Sequence, residues 1–301
     1  MKILITGATG LIGTELTSYL LQNGVDIHYL TTSKKKIIKE EKYNGFFWNP
    51  VQGIIDENAF LGVDAIIHLA GATISKRWTS SYKLEIIESR INASNTLYKA
   101  LKENPHQVRQ IVSASAIGIY PDSAQAVYTE DFTAYEDNFL SNVVVKWEES
   151  VNKFQHLGIK VCKLRTGVVF AKNGGALPEM LKPIKSGFGA SFGNGKQQLS
   201  WIHIRDLSSL YFFAVKNHWE GTYNAVSPNP ISNENLTKLM ASKTNSLLFL
   251  PNIPRFFMKI ILGEMHELLF SDQHVSAKKV LDSGFSFHFP TPEKALDDII
   301  A

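Results

Sequence analysis

The stretch that decides the fold stands at the start of the chain, where residues 1–13 read MKILITGATGLIG. A short apolar run ends in glycines spaced Gly-x-x-Gly-x-x-Gly, a pattern typical of a strand-turn-helix that binds a dinucleotide. Gly7 would permit the sharp exit from the strand, and Gly10 would let a pyrophosphate approach the backbone. Gly13 would let the helix pack closely on its strand, and the free N–H groups at the helix start would bind the phosphates.

Glycines also occur in turns for geometry alone, so the residues that follow decide between the two interpretations. Residues 14–23 have a helical pattern, Asn23 and Gly24 end it, and residues 25–30 form the next predicted strand. This β-α-β order favours the dinucleotide-binding interpretation.

The composition indicates an ordinary globular protein, since 44% of the 301 residues are apolar and 20% are charged. A net charge of +3 is too small to indicate a nucleic-acid partner. The single cysteine, Cys162, excludes an intramolecular disulfide framework, and no spacing typical of a metal site is present. Because the first strand starts at once and no apolar run approaches the ~18–20 residues of a membrane span, we expect a cytoplasmic protein without a membrane partner.

Strand and helix patterns alternate along the first half of the chain, which predicts an α/β fold with a doubly wound parallel sheet of the Rossmann type. The predicted helices cover residues 11–23, 80–103 and 138–156. The predicted strands are Lys2–Thr6 and residues 25–30, 45–48, 65–69, 110–114 and 159–164.

After residue 166 the texture changes, and glycines crowd between residues 174 and 195. We expect this stretch to form a loop over the carboxyl edge of the sheet, where ligands of open α/β sheets bind. Residues 1–166 are therefore predicted to be a cofactor-binding Rossmann domain, to which part of 195–226 returns. Residues 167–301 are predicted to be a smaller, substrate-side lobe.

Several motifs resemble the extended short-chain dehydrogenase/reductase superfamily. Residues 6–13 are similar to its cofactor turn and residues 67–72 to its second cofactor-side strand end. More specifically, the chain resembles the YfcH-like epimerase family, also described as sugar-nucleotide epimerases or as SulA-type cell-division inhibitors. The matching segments are residues 70–72, 76–78, 113–116, 164–169, 174–178, 198, 200–203 and 263–265.

The resemblance implies a nicotinamide cofactor and assigns its contacts to both cofactor-side segments. These contacts are Gly7, Thr9, Gly10, Leu11, Ile12, Gly13, Leu69, Ala70, Gly71 and Ser113. The preference between NAD(H) and NADP(H) is decided just after the second strand. An acidic side chain there would bind the ribose 2′-hydroxyl of NAD(H), and a cationic side chain would bind the 2′-phosphate of NADP(H). Thr32, Ser33 and Lys34–Lys36 stand there with no acid, which favours NADP(H). A solvated lysine cluster is the other interpretation, and the family often has an arginine where Thr32 stands.

Proton transfer in typical members of the superfamily uses a Tyr and a Lys four residues later on one helix face, and the cation lowers the pKa of the phenol. In this chain Leu140 and Val144 occupy those two positions. Neither side chain moves a proton. The resembled family shares this loss, which argues against a standard Tyr-Lys mechanism rather than against the family.

The remaining polar candidates for catalysis are Ser115, Arg165 and His203. Ser115 matches the substrate-orienting serine of the superfamily but is also explained as a strand-end cap. Arg165 would bind an anionic substrate, or else serve in an ion pair. His203 could share a helix face with Asp206 and act as acid or base, or be structural.

Further contacts are predicted around the same cleft. Lys76 and Arg77 begin a loop beside the cofactor and, with Arg165, would suit an anionic ligand, although each is also explained as a surface charge. Trp201 is a further predicted substrate contact. Tyr120 and Tyr128 are loop tyrosines that could replace the missing phenol.

Two functions remain open from the sequence. One is an NADP(H)-dependent oxidoreductase or epimerase acting on an anionic substrate such as a nucleotide sugar. The other is an NADP(H)-binding sensor or regulatory protein, favoured by the absent Tyr-Lys pair. The apolar content of helices 80–103 and 138–156 predicts a homodimer through these helices, as in the resembled superfamily, although the same stripe is consistent with burial in the monomer.

Overall fold

The computed structural model describes residues 1–300 of the chain. Strands and helices alternate through most of its length, and short strands are added in the second half. In chain order the strands are β1 (Lys2–Thr6), β2 (Asp26–Thr31), β3 (Tyr43–Asn49), β4 (Ile54–Ile55), β5 (Ala65–His68), β6 (Gln110–Ala116), β7 (Ser123–Tyr128), β8 (Lys160–Thr166), β9 (Val168–Phe170), β10 (Gln198–Leu199), β11 (Trp201–His203), β12 (Gly221–Ala225), β13 (Ile231–Ser232) and β14 (Gln273–Val275). The helices are α1 (Leu11–Gln22), α2 (Ser80–Glu103), α3 (Phe139–Asn152), α4 (Ala176–Lys185), α5 (Ile204–Lys216), α6 (Asn233–Lys243), α7 (Arg255–Leu262), α8 (Glu267–Phe270), α9 (Lys278–Asp282) and α10 (Pro292–Ile300).

The central sheet has eight strands in the order β12-β8-β6-β5-β1-β2-β3-β4. All pairs from β12 to β3 are parallel, and only β4 runs antiparallel, at one edge. The predicted α/β fold with a Rossmann sheet is confirmed, and all six predicted strands lie in it. The sequence pattern did not predict β12, which pairs with β8 at the other edge. Strand β1 lies between β2 and β5, so the turn that follows β1 stands where the strand order reverses.

The three predicted helices are present with adjusted ends. Helices α2 and α3 pack against each other and start at side-chain caps, where Thr79 accepts from the N–H of Tyr82 and Asn138 from that of Ser141. Helix α3 ends at Asn152 rather than near residue 156, because the chain tightens into a 3₁₀ turn. That turn closes at Gly158, whose φ of 72° is left-handed.

Two main hydrophobic cores organise the chain. The first covers the faces of the central sheet and includes residues from α5, among them Leu207, Leu210 and Ala214. Helix α5 thus lies against the sheet and packs on α1, and the predicted division into two domains stays a prediction. The second core joins β9, β11, α4, α6 and α10 around Phe170 and Trp201. Within residues 1–300, no helix is both long and apolar enough to cross a membrane.

Candidate functional site

The glycine turn after β1 has no room for side chains. Gly7 has a φ of 74°, and a Cβ placed on it would lie 3.1 Å from the carbonyl carbon of Leu69. A Cβ on Gly13 would lie 2.1 Å from the carbonyl oxygen of Gly7, a distance at which the backbone must move. The same oxygen accepts the N–H of Gly10 at 3.0 Å, which closes the turn. Gly7 and Gly13 are therefore required by close backbone approach and not by flexibility alone.

Helix α1 begins directly after this turn with no side chain capping its N-terminus. Gly10 is the N-cap residue, and the first turn of the helix has no acidic side chain. The free N–H groups and the helix dipole therefore favour an anion at this end. The residues present fit the diphosphate of a dinucleotide.

The parallel sheet brings the predicted cofactor residues to one edge. Thr32 and Ser33 follow β2, and Lys34–Lys36 forms an exposed 3₁₀ turn directly after them. Leu69, Ala70 and Gly71 follow β5, the neighbour of β1 on its other side. Gly174 approaches from the second half of the chain, since a Cβ there would lie 3.1 Å from Cδ1 of Leu11. The assigned cofactor contacts stay predictions.

The predicted cofactor residues range from buried to exposed. Ser113 is fully buried in β6, and its hydroxyl donates to the backbone oxygen of Ala114. Thr9 lies at the open tip of the turn. Ile12 packs against the first core, which anchors the start of α1 to the sheet.

A buried network of polar side chains that the sequence pattern did not predict supports the two strand ends. Oγ1 of Thr6 accepts the N–H groups of Leu69 and Ala70, both at 3.1 Å, and lies 2.7 Å from Nδ1 of His68. Because both acceptor sites of the hydroxyl are used, its own proton is donated to Nδ1, and the imidazole proton is on Nε2. Nε2 lies 3.2 Å from the hydroxyl of Ser94, which donates to the backbone oxygen of Arg90.

The surroundings of His68 in this network keep its imidazole neutral. Burial, and then the positive charge of Arg90, lower the pKa of His68 to about 4. The neutral imidazole can therefore accept from Thr6 while its other nitrogen donates. His68, a polar residue at the end of the otherwise apolar strand β5, was the sequence signal for this network.

Ser115 and Arg165 meet at the ends of β6 and β8, where they are register partners. A third residue, Glu148 of α3, joins them. Its Oε1 accepts from the Ser115 hydroxyl at 2.6 Å and from Nε of Arg165 at 2.9 Å, and its Oε2 accepts from Nη2 of Arg165 at 3.1 Å. All three side chains are buried. The spacing of Leu140, Val144 and Glu148 places this carboxylate on the apolar helix face, which is the signal that could have found it.

This ion pair determines the charge of its members. Burial alone would raise the pKa of Glu148, but the hydrogen bonds and charge of Arg165 outweigh it and hold that pKa below its ordinary value. Lys163 adds a second cation 3.7 Å from Oε2. The bidentate pairing likewise raises the pKa of Arg165, although burial acts the other way. A substrate anion would have to compete with Glu148 for this guanidinium.

The outer nitrogens of Arg165 reach two tyrosines. Nη1 donates to the hydroxyl of Tyr120 at 3.0 Å, and Nη2 donates to the hydroxyl of Tyr135 at 3.2 Å. Tyr120 is buried, and its hydroxyl donates to Asn224 Oδ1. Tyr135 stands in the loop between β7 and α3 and is 37% exposed. Of the two phenols, Tyr135 is therefore the one that a ligand can approach.

The two tyrosines considered from the sequence are poor proton donors. Burial raises the pKa of Tyr120 to about 12 and also raises that of Tyr128. Their rings stack on each other with centroids 5.1 Å apart, inside a small core. Leu140 and Val144 lie on α3 as predicted, and both pack against apolar neighbours.

His203 and Trp201 lie inside the protein, which corrects the expectation that they face a ligand. His203 is the N-cap residue of α5 and is 1% exposed, and burial lowers its pKa to about 4. It does not pair with Asp206, whose carboxylate accepts the backbone N–H groups of His288 and Phe289.

The surroundings of the two side chains are those of core residues. Nε2 of His203 lies 3.3 Å from Oδ2 of Asp298, and its ring stacks on Phe289. Trp201 is fully buried and stacks on Phe170, with ring centroids 4.7 Å apart. The short strand β11 carries both residues into the interior, where neither side chain is exposed to solvent.

Lys76 and Arg77 lie where the loop after β5 meets the second half of the chain. Both are exposed, and Lys76 stands over the ring of Tyr82. Arg77 lies near Gly263, and Lys83 forms an ion pair with Glu264. The loop is thus held against the segment that follows α7. Within residues 1–300, no group of three or more His, Cys, Asp or Glu side chains is arranged to hold a metal ion.

Comparison with known proteins identifies the family. The profile of the NAD dependent epimerase/dehydratase family matches residues 3–226. The chain belongs to this family. A second profile, that of a domain of unknown function called DUF1731, matches residues 253–299. The resemblance to extended short-chain dehydrogenases is thereby confirmed, whereas the comparisons give no support to the resemblance to SulA-type cell-division inhibitors.

Relatives and solved structures cover the whole chain. The epimerase family protein YfhF of Bacillus subtilis is 33% identical over 302 residues, which is 100% of this chain and 98% of the relative. The human epimerase family protein SDR39U1, whose structure was solved with NADPH, superimposes with a TM-score of 0.86 at 27% identity, covering 100% of this chain and 99% of the human one.

Two further structures share the fold. A nucleoside-diphosphate sugar epimerase from Corynebacterium glutamicum has a TM-score of 0.80 at 27% identity, and it matches all of this chain and 58% of its own. The UDP-glucose 4-epimerase of Thermus thermophilus, solved with NAD, has a TM-score of 0.74 at 16% identity over 100% of this chain and 99% of its own. That last similarity concerns the fold alone.

Proposed function

We propose that this protein is an NADP(H)-dependent epimerase or oxidoreductase that acts on an anionic substrate such as a nucleotide sugar. The observation that carries the proposal is the continuous polar chain Ser115–Glu148–Arg165–Tyr135, which runs from a buried strand end to an exposed phenol. These four residues lie at the carboxyl edge of the sheet. They are on the same side of β1 as β5 and β6.

The cofactor would be held by the glycine turn and by the cations after β2. The diphosphate would lie at the N-terminus of α1, and Lys34–Lys36 would bind a 2′-phosphate. The NADPH in the structure of the human relative supports this preference. When bound, the nicotinamide supplies hydride transfer, and the protein supplies orientation and charge stabilisation.

Tyr135 is the proposed proton donor in place of the missing helix tyrosine. Its hydroxyl accepts a hydrogen bond from Nη2 of Arg165, and a cationic donor stabilises the negative charge that develops as the phenol loses its proton. Glu148 fixes the guanidinium through Nε and Nη2, so that Arg165 is a positioning residue rather than a substrate clamp. Lys76 and Arg77 would attract the anionic group of the substrate from the loop after β5.

The cofactor assignment is tested by titrating the purified protein with NADPH and NADH, followed by fluorescence or calorimetry. One or two charge-assisted bonds to the 2′-phosphate, at about 1.5–3 kcal/mol each, predict at least a tenfold preference for NADPH. Alanine at positions 34, 35 and 36 together should remove the preference, whereas Lys238→Ala on α6 should keep it. Equal affinities of the parent protein for both cofactors would contradict the NADP(H) assignment.

The catalytic assignment is tested by NADPH-dependent turnover on a panel of nucleotide sugars and simple carbonyl compounds. Tyr135→Phe should lower kcat by about 10²–10⁴-fold, the range of a general acid. Tyr19→Phe is the control, since this tyrosine packs against Phe212 on the far side of α1. Parental turnover by Tyr135→Phe would show that another group donates the proton.

The second candidate function is an NADP(H)-binding regulatory protein. Leu140 and Val144 at the superfamily's proton-transfer positions, together with the burial of Ser115, favour it. Tight NADPH binding without turnover on any compound of the panel would favour the regulatory function over the enzymatic one.

A further inference from the structure

Two buried hydrogen-bond donors without an acceptor lie where α2 packs against α3. Within residues 1–300, neither Nε of Arg90 nor Nε1 of Trp147 has a hydrogen-bond partner. The guanidinium carbon lies 4.9 Å from the centroid of the indole ring, so both donors belong to one small region. Buried donors in native proteins are nearly always paired, with protein, with water or with a ligand.

Arg90 is also a cation without an anion. Its Nη1 donates to the backbone oxygen of Ile86 at 2.8 Å, and among residues 1–300 it takes part in no ion pair. Burial lowers the pKa of Arg90 to about 10, so the side chain is still charged at neutral pH. A buried charge is costly unless it is paired, and Arg165 in the neighbouring network has Glu148 for this purpose. Arg90 has no such partner within the described chain.

The position of Arg90 indicates from which side an anion could reach its guanidinium. A Cβ placed on Gly71 would lie 3.1 Å from both Cγ and Cζ of Arg90, so the guanidinium lies directly against this strand end. Gly71 is exposed and follows β5, which pairs with β1 and its glycine turn. The absence of a side chain at Gly71 leaves the guanidinium next to the cleft in which the cofactor and substrate would lie.

We infer that Arg90 and Trp147 form a binding site for phosphate oxygens. The phosphate belongs either to the cofactor or to a phosphorylated substrate beside it. Only the assignment to a substrate rests on the proposed function. A guanidinium and an indole N–H are donors without acceptor capacity and the guanidinium is positively charged, so this site suits an anionic acceptor and not a cation. Trp147 holds the guanidinium by a cation–π contact while adding its own N–H.

The test compares Arg90→Met with the control Arg109→Met. Arg109 is exposed and lies just before β6, at the end of the strand away from Ser115. Each protein is titrated by calorimetry with NADPH, and the NADPH-loaded protein is then titrated with UDP and with inorganic diphosphate. Loss of a charge-assisted contact predicts that Arg90→Met weakens one of these titrations by about tenfold to a hundredfold. A weaker NADPH titration assigns the site to the cofactor, and a weaker UDP or diphosphate titration with unchanged NADPH binding assigns it to the substrate. Unchanged affinities in all titrations would overturn the inference and leave water as the occupant.

A second variant and a stability measurement separate ligand binding from a structural role. Trp147→Phe keeps an aromatic ring, although a smaller one, and removes the N–H, so the affected titration should weaken by a few-fold only. Because Arg90→Met removes an uncompensated buried charge, the ligand-free variant should resist urea as well as the parent or better. Lower urea resistance of Arg90→Met together with parental affinities in both variants would show a structural arginine. None of these measurements requires turnover, so failure of the proposed enzyme activity would leave the phosphate site standing.

Discussion

Two buried threonines near the cofactor turn offer a matched test of the polar network that supports it. Oγ1 of Thr6 accepts two backbone N–H groups and bonds His68, whereas Oγ1 of Thr17 in α1 is buried and has no partner among residues 1–300. Substitution by valine keeps the branched shape and replaces the hydroxyl by a methyl group in both cases. The two variants therefore differ only in the hydrogen bonds that are lost.

The hydrogen bonds around Thr6 determine the expected magnitude. In Thr6→Val, Nδ1 of His68 is left in a fully buried position without a donor, which costs about 1–3 kcal/mol. The N–H of Ala70 loses its acceptor but is partly exposed, and that of Leu69 retains the backbone oxygen of Thr6 at 3.2 Å, so these two groups add less. We expect the free energy of unfolding to fall by about 2–4 kcal/mol. Thr17→Val should change it by less than about 1 kcal/mol, or raise it, because an unpaired hydroxyl is removed from an apolar site.

Equilibrium unfolding in urea, with the slope checked for constancy, measures both differences. NADPH titration of the folded variants provides a second readout, and only Thr6→Val should weaken binding, because the strand end that carries Ala70 lies at the turn. Equal destabilisation by the two substitutions would refute the reasoning, since it would show that the loss comes from packing and not from the hydroxyl's partners.

Other predictions follow from the same contacts. Gly13→Ala should abolish NADPH binding and lower the urea midpoint, because its Cβ would displace a backbone oxygen, whereas Gly118→Ala meets a side-chain carbon only at 3.4 Å and should change neither. Glu148→Gln should lower the free energy of unfolding by about 3–5 kcal/mol at pH 7, because it leaves Arg165 buried without its anion. Because the pKa of Glu148 is held below its ordinary 4.5, the stability that this carboxylate gives the parent protein is complete above pH 4.5 and is lost as the pH falls through the lowered pKa. Urea titrations of Glu148→Gln at several pH values should not show this loss. Light scattering at micromolar concentration should show a dimer if α2 and α3 form the predicted interface, and a monomer would contradict it.

The sequence by itself determined the architecture around the cofactor turn. The apolar run before Gly7, the helical pattern after Gly13 and the strand that follows define a β-α-β unit because each depends on neighbours in sequence. The same local reading located the loss of the Tyr-Lys pair, since positions four residues apart share a helix face. Family membership follows from such motifs as well.

Only the tertiary structure decided which side chains meet. Thr6 and His68 are 62 residues apart, and Ser115 and Glu148 are 33 apart, so their contacts depend on strand order and on how α3 lies against the sheet. Periodicity predicts which face of an element is buried but not which partner a buried polar group finds. For this reason the sequence left open whether Arg165 binds a substrate or serves in an ion pair, and the fold pairs it with Glu148.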